Sequence, residues 1–421
     1  MISKTYYDRY VQILKEELIP AMGCTEPIAI AYASAIAAKH LGVRPDAVQV
    51  EVSGNIIKNA KSVVVPNTGG LRGIPAAAAA GIVAGDPSRE LKVIAQASLQ
   101  DIERIRQFLR DVPITVSQAN TGNIFDIRVT VFNGTQSSSV HICDFHTNVR
   151  EIRKNGDIVF TRDITAMTDS LIANRSFMNV ADIIEFADTV RIADVQEILD
   201  KQIEYNTAIS EEGLQGDYGA NIGRVLLRTY GDTDVKIRAR AKAAAASDAR
   251  MDGCELPVVV NSGSGNQGIA ASVPVIEYAA ELGASRELLY RALIVSNLTT
   301  IHMKTGIGRL SAYCGAVSAG CGSGAGIAYL HGGKYEEIAH TIVNALAITS
   351  GMVCDGAKAS CAAKIATAVD AGILGYHMYK NGQQFWGGDG IVTKGVENTI
   401  VNISQLARNG MSETDKEVLR I

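Results

Sequence analysis

From Tyr6 to Ile19 apolar residues recur at helical spacing on a polar background, which predicts an amphipathic helix ending near Pro20. Ala21–Cys24 reads as a short connector, followed by Thr25 as a cap with Glu26 and Pro27 in the first turn of a second helix, Ile28 to about His40. That helix is small and apolar on all sides, so burial is expected, and Gly42 ends it. Ala47–Val52 alternates apolar and polar residues as a strand does. Val63–Ala84 contains Pro-Asn-Thr-Gly-Gly and then an Ala-rich helix with Pro75 in its first turn. Ile114–Val116, Phe125–Phe132, Ser138–Cys143 and Ile158–Phe160 carry the β-branched alternation of an antiparallel sheet, and Asn133-Gly134 and Asn155-Gly156 signal hairpin turns. From Ile164 onward the strand pattern fades, except at Pro257–Val260, and the chain reads as helices separated by Gly. The pattern predicts an α+β protein. Residues 1–163 hold N-terminal helices and a small antiparallel, α/β-sandwich-like domain; residues 164–421 form a larger, mainly α-helical domain. The first two helices are candidates to pack on the helical domain rather than on the sheet. No internal repeat or low-complexity tract is present, and the Ala runs read as helix.

Composition narrows the function. The 421 residues are 47% hydrophobic and 20% charged, with a net charge of −4, which excludes a disordered chain and argues against a nucleic-acid binder. Aromatics are only 5% while Gly numbers 40, which favours closely packed helices and tight turns. The polar N-terminal segment lacks the apolar stretch of a signal peptide. Leu310–Gly333 is free of charge but rich in Gly and Ser, unlike a membrane span. A cytoplasmic protein with no membrane partner is expected. Its seven cysteines then point to metal binding or catalysis more than to disulfides.

Those cysteines are Cys24, Cys143, Cys254, Cys314, Cys321, Cys354 and Cys361, and the last four form two Cys-x6-Cys pairs. Cys314 and Cys354 open Gly-containing segments, where small neighbours let backbone N–H groups approach a bulky inorganic group. The same residues read equally well as small buried hydrophobes. Zinc-knuckle and ferredoxin spacings are both absent, so spacing alone leaves the choice open. Cys24, just before a helix N-terminus, is in a setting that favours a thiolate and suits a base or nucleophile; the alternative is a packed thiol. Cys143, in the predicted sheet, has the plainer reading, and Cys254 stays undecided.

Val258–Gly268 runs from a short strand through Ser262-Gly263-Ser264-Gly265-Asn266-Gln267 into an apolar helix. Such a loop offers N–H and hydroxyl groups to an anion; lacking the Walker and dinucleotide patterns, it is matched to a carboxylate, unless it is only a flexible turn. Pro66–Gly73 is a second loop of this kind. Lys304, in a weakly charged segment beside His302, is a candidate to pair with a substrate carboxylate or else a solvated charge.

Four segments carry a resemblance: Ala21–Pro27, the Gly-Ser-Gly-Asn-Gln-Gly loop, Gly308–Gly315, and Gly351–Cys361. In these the chain resembles the L-cysteine desulfidase family, related to the alpha part of bacterial iron–sulfur L-serine dehydratases. The resemblance implies a [4Fe–4S] cluster held by Cys314, Cys354 and Cys361 with one iron open to substrate, and Cys24 as catalytic base. It implies breakdown of L-cysteine to pyruvate, ammonia and hydrogen sulfide. Cys321 is not a position of that pattern, and a fourth cysteine reaching the cluster would close it. On this reading Ser262, Gly263, Ser264, Asn266, Gln267 and Lys304 bind a small amino acid, and pyridoxal phosphate is not needed. The competing expectations are elimination on L-serine, a non-catalytic protein with a structural metal or thiol site, and an amino-acid sensor. A homodimer is compatible with the sequence, which does not itself decide oligomeric state.

Overall fold

The computed structural model describes residues 2–162 and 175–421. The expected domain boundary at residue 163 falls at the edge of the segment 163–174, outside the described residues, as does Ile164. The architecture is α+β: a small mixed sheet with its helices, and a larger body of helices.

Eight strands are described: β1 (Pro20–Met22), β2 (Ala47–Val52), β3 (Ile114–Gln118), β4 (Asp126–Asn133), β5 (Gln136–Cys143), β6 (Val149–Lys154), β7 (Asp157–Thr161) and β8 (Pro257–Val259). Six of them form one sheet in the order β3-β2-β4-β5-β6-β7. The pair β2–β3 is parallel and the others antiparallel, so the sheet is mixed rather than wholly antiparallel. The reason lies in the connection. Three helices, Gly54–Ala60, Gly73–Ala84 and Leu99–Asp111, separate β2 from β3, and such a crossover returns the chain in the same direction. The β6–β7 hairpin turns on Asn155 and Gly156, both at positive φ (52° and 90°), the conformation that matches strand twist. In β2 Val48, Val50 and Val52 point into the core while Gln49 faces solvent.

The first helix, Lys4–Glu17, packs on the helical body through Tyr10 against Phe177 and Phe186 and through Tyr7, whose hydroxyl donates to Asp194. The second, Thr25–Leu41, departs from expectation. It covers β4 and β5 and lies against Gly73–Ala84, where a Cβ on Gly81 would stand 2.1 Å from the Ala31 carbonyl oxygen. Its small apolar surface is what permits that approach. Cys24, not Thr25, takes the N-cap position, and Gly42 closes the helix at φ 81°.

The helical body surrounds Gly315–Leu330, of which every residue from Ala316 on is buried. This explains the charge-free run: the helix is enclosed by protein. Among the described residues no helix is long and apolar enough to cross a membrane. Ser360–Lys380 packs closely against it. A Cβ on Gly372 would lie 2.2 Å from the Gly320 carbonyl oxygen, and one on Gly320 would lie 2.3 Å from that of Ala368. Two helices with cysteines at or near their starts, Cys314 and Cys361, thus cross in backbone contact.

Candidate active site

Two short backbone pairings assemble the site. β1 pairs antiparallel with β8, and Thr25 Oγ1 donates to the Gly263 carbonyl at 2.9 Å, which joins the Cys24 segment to the Gly/Ser loop. Tyr313 and Val353 form an antiparallel bridge: Cys314 N–H donates to Met352 O at 3.1 Å and Cys354 N–H to Ala312 O at 2.6 Å. The 40-residue sequence gap between Cys314 and Cys354 is closed in this way. Cys361 follows as the second residue of the helix Ser360–Lys380.

These segments enclose a cavity of about 100 Å³, lined by Cys24, Cys314, Cys354, Cys361, Lys304, Ser264, Asn266 and Gln267 among others. Four helices begin at its wall. Cys24, Ser264 and Cys314 occupy N-cap positions and Cys361 a first turn, with no side-chain cap bond on any of the four helices. The dipoles of these helix starts make the cavity receptive to negative charge. Lys304 adds a buried ammonium, and among the described residues no carboxylate pairs with it. Burial lowers its pKa to about 8, against the opposing pull of Cys354 and Cys314.

Cys24 corrects an expectation. Burial and the adjacent Glu26 carboxylate push its thiol well up, outweighing Arg250. Its Sγ donates to Glu26 Oε2 at 3.1 Å, so this is a thiol paired with a carboxylate, not a thiolate at a helix end. Burial acts to raise the Glu26 pKa, but His146, the Cys24 S–H and Arg250 together hold it below the usual carboxyl value. Asn59 Nδ2 donates to its second oxygen at 3.0 Å.

The three other cavity cysteines interact electrostatically. Burial and Cys354 push Cys314 up to about 12, and burial, with Cys354 contributing, raises Cys361. Three thiolates together therefore need a cationic partner. Among the described residues no three His, Cys, Asp or Glu side chains stand close enough to hold a single metal ion. Cysteine thiols are the donor type that a polynuclear iron–sulfur group takes. The surrounding wall fits a polar guest too: Asn59 Oδ1, Arg250 Nε, Gln267 Oε1 and Tyr313 Oη are buried without a partner among the described residues.

Not every expected residue lines this cavity. Ser262, held at φ 51°, faces a neighbouring cavity of about 50 Å³ that shares Lys304 and Arg309, and Gly263 contributes its carbonyl to Thr25. Cys321 lies buried along Gly315–Leu330 and does not line the cavity. Cys143 takes a bond from Arg150 on the sheet, Cys254 lies outside the lining, and His302 pairs with Glu397. The Pro66–Gly73 loop is a structural turn, with Asn67 donating to Ile94 O. Residues the sequence reading passed over include Glu26, Asn59, Arg250, Arg309 and Lys364. Lys364 carried a signal, being one helical turn from Cys361; Asn59 and Arg250 carried none.

A chain with these features belongs to the serine dehydratase alpha chain family, whose profile matches residues 88–420. Membership points to a lyase-type enzyme. Relatives matching along the full length are UPF0597 proteins. That of Desulfitobacterium hafniense (strain Y51) is 64% identical over 417 residues, covering 99% of this chain and 96% of its own. That of Lachnoclostridium phytofermentans is 51% identical over 415 residues (99% of each), and that of Treponema denticola 46% over 425 residues (100% and 99%).

Proposed function

We propose that this protein is an iron–sulfur lyase that eliminates the β-substituent of a small amino acid, with L-cysteine as substrate and pyruvate, ammonia and hydrogen sulfide as products. The observation that carries the reading is one small cavity lined by a carboxylate-paired thiol, three further cysteines and a buried lysine. Cys314, Cys354 and Cys361 would hold the cluster. Bound there, it would supply Lewis acidity to the bound substrate.

The chain's own groups do the rest. Lys304, with Ser264, Asn266 and Gln267 at the helix start, holds the substrate carboxylate. Glu26 Oε2 draws off the thiol proton from Cys24 Sγ in the same step in which Sγ removes the substrate Cα proton. The Cα–H electrons form the Cα–Cβ double bond as the Cβ–S bond breaks. The sulfide leaves with a proton available from Glu26, and the aminoacrylate takes up water to give pyruvate and ammonia. Burial of the pair keeps bulk water out of that proton transfer. Such a site belongs in a reducing compartment, and the reading locates the protein in the cytoplasm.

Elimination of hydroxide from L-serine is the second reading, favoured by the family profile. Anaerobic purification, iron and acid-labile sulfide analysis, and a pyruvate assay on both amino acids decide between them. Iron-loaded protein that forms pyruvate from neither would refute the lyase assignment, and a larger kcat/KM for L-serine would move it to the dehydratase reading.

A further inference from the structure

The Asp415 carboxylate lies where three parts of the fold meet. It belongs to the helix Ser412–Arg420 and does not line the cavity. Its Oδ1 is 2.5 Å from Nζ of Lys58, whose side chain, on the helix Gly54–Ala60, is 2% exposed. Its Oδ2 accepts the backbone N–H of Ala312 at 2.9 Å. Ala312 is wholly buried, and its own carbonyl accepts the Cys354 N–H. One carboxylate is therefore a single peptide unit from both sides of the bridge that brings Cys314 and Cys354 together. Lys58 adds a second contact: a Cβ on Gly356 would stand 2.3 Å from its carbonyl oxygen, so the turn after Cys354 rests directly on it.

The Tyr313–Val353 pairing is an isolated bridge, and two short strands pair only marginally by themselves. A hydrogen bond to a charged, largely buried acceptor is among the stronger single contacts available to such a loop. We infer that Asp415 is a positioning residue: with Lys58 it clamps the Cys314 and Cys354 loops in the arrangement that receives the metal group. The inference rests on the iron–sulfur reading above for its purpose, but the clamp itself can be tested without metal.

The test uses the full chain and three variants, Asp415→Asn, Asp415→Ala and the pair Lys58→Met with Asp415→Ala. Iodoacetamide alkylation of each cysteine is followed by peptide mass spectrometry in metal-free protein, and iron uptake is measured after anaerobic reconstitution. Asp415→Ala alone strands a buried ammonium and lowers the melting temperature generally. The paired variant removes that charge as well, so its melting temperature recovers while Ala312 N–H stays untethered. In the paired variant Cys314 and Cys354 should be alkylated at least about tenfold faster than in the parent, with Cys143 unchanged, because only their loops open more often. Iron uptake should fall in parallel. Asp415→Asn retains an oxygen for Ala312 and should show a smaller increase. Parent-like alkylation of both cysteines and parent-like iron uptake in the paired variant would overturn the clamp. Faster alkylation of the two in the paired variant, together with a parent chain that itself takes up no iron, would sustain the clamp and defeat the iron–sulfur reading instead.

Discussion

Replacing Glu26 by Gln separates two accounts of Cys24. The carboxylate oxygen is 3.1 Å from Sγ and both groups are buried. At that separation a thiolate beside a carboxylate is opposed by about 5 kcal/mol at an effective dielectric near 20. Removing the negative charge therefore makes the thiol easier to ionise, and Gln, close in size to Glu, can keep a contact with Asn59. If Cys24 worked as a lone thiolate, Glu26→Gln would speed turnover. If Glu26 accepts the thiol proton, turnover falls although the thiol has become more acidic, because an amide cannot take the proton. We expect kcat to drop about 100-fold, some 2.7 kcal/mol of barrier, with iron content unchanged. The pH dependence of Cys24 alkylation in metal-free protein reports the acidity, and pyruvate formation reports the rate. A variant with a more acidic Cys24 and equal or faster turnover would refute the relay.

Three further outcomes are expected. Cys24→Ser should keep its iron and bind substrate yet lose at least about 100-fold in rate, whereas Cys354→Ala should lose both iron and pyruvate formation, and Cys143→Ala neither, all by iron analysis and the pyruvate assay. Gly372→Ala gains about 1 kcal/mol of helix propensity but forces a Cβ to within 2.2 Å of a backbone oxygen. Overpacking of about 1–3 kcal/mol against a rigid backbone should win, and calorimetry should show a lower melting temperature. His146 is held neutral by burial, its pKa lowered to about 4, so the unfolded chain binds its proton at higher pH than the folded one. Its contribution is present above the ordinary imidazole pKa near 6.5 and is lost as pH falls toward 4, about 3 kcal/mol in all; His146→Phe should flatten that part of the melting-temperature profile.

What was legible in the sequence was local. Gly42 and the Asn155-Gly156 turn state their backbone conformation in their chemistry, and Val48, Val50 and Val52 state their face. The parallel β2–β3 pair was not legible, because pairing across three helices is settled by the crossover and not by either strand. Strand β6 was obscured by Arg150, Glu151, Arg153 and Lys154, which dilute its alternation. In the cavity, motif cysteines were visible, but the side chains that set their chemistry were not. The thiolate expected at Cys24 took account of the helix end and missed the carboxylate two residues on, since only the folded geometry shows that Glu26 turns back onto Sγ. Ser262 was grouped with Ser264 by sequence, yet the turn at Ser262-Gly263 sends the two toward different cavities.

The dispersal of the cavity wall along the chain fixes the order in which it can be completed during synthesis. Cys24 leaves the ribosome 290 residues ahead of Cys314 (314 − 24), an interval of about 15–60 s at ordinary elongation rates. Through that time the thiol and Glu26 have no cavity around them. Cys361 emerges later, and Asp415, 54 residues after it (415 − 361), later still. A nascent chain thus presents all its cavity cysteines before the carboxylate beside the Cys314 and Cys354 loops exists, and on the proposed iron–sulfur reading, iron delivered to the released polypeptide would meet a finished receptacle where earlier delivery would meet loose thiols.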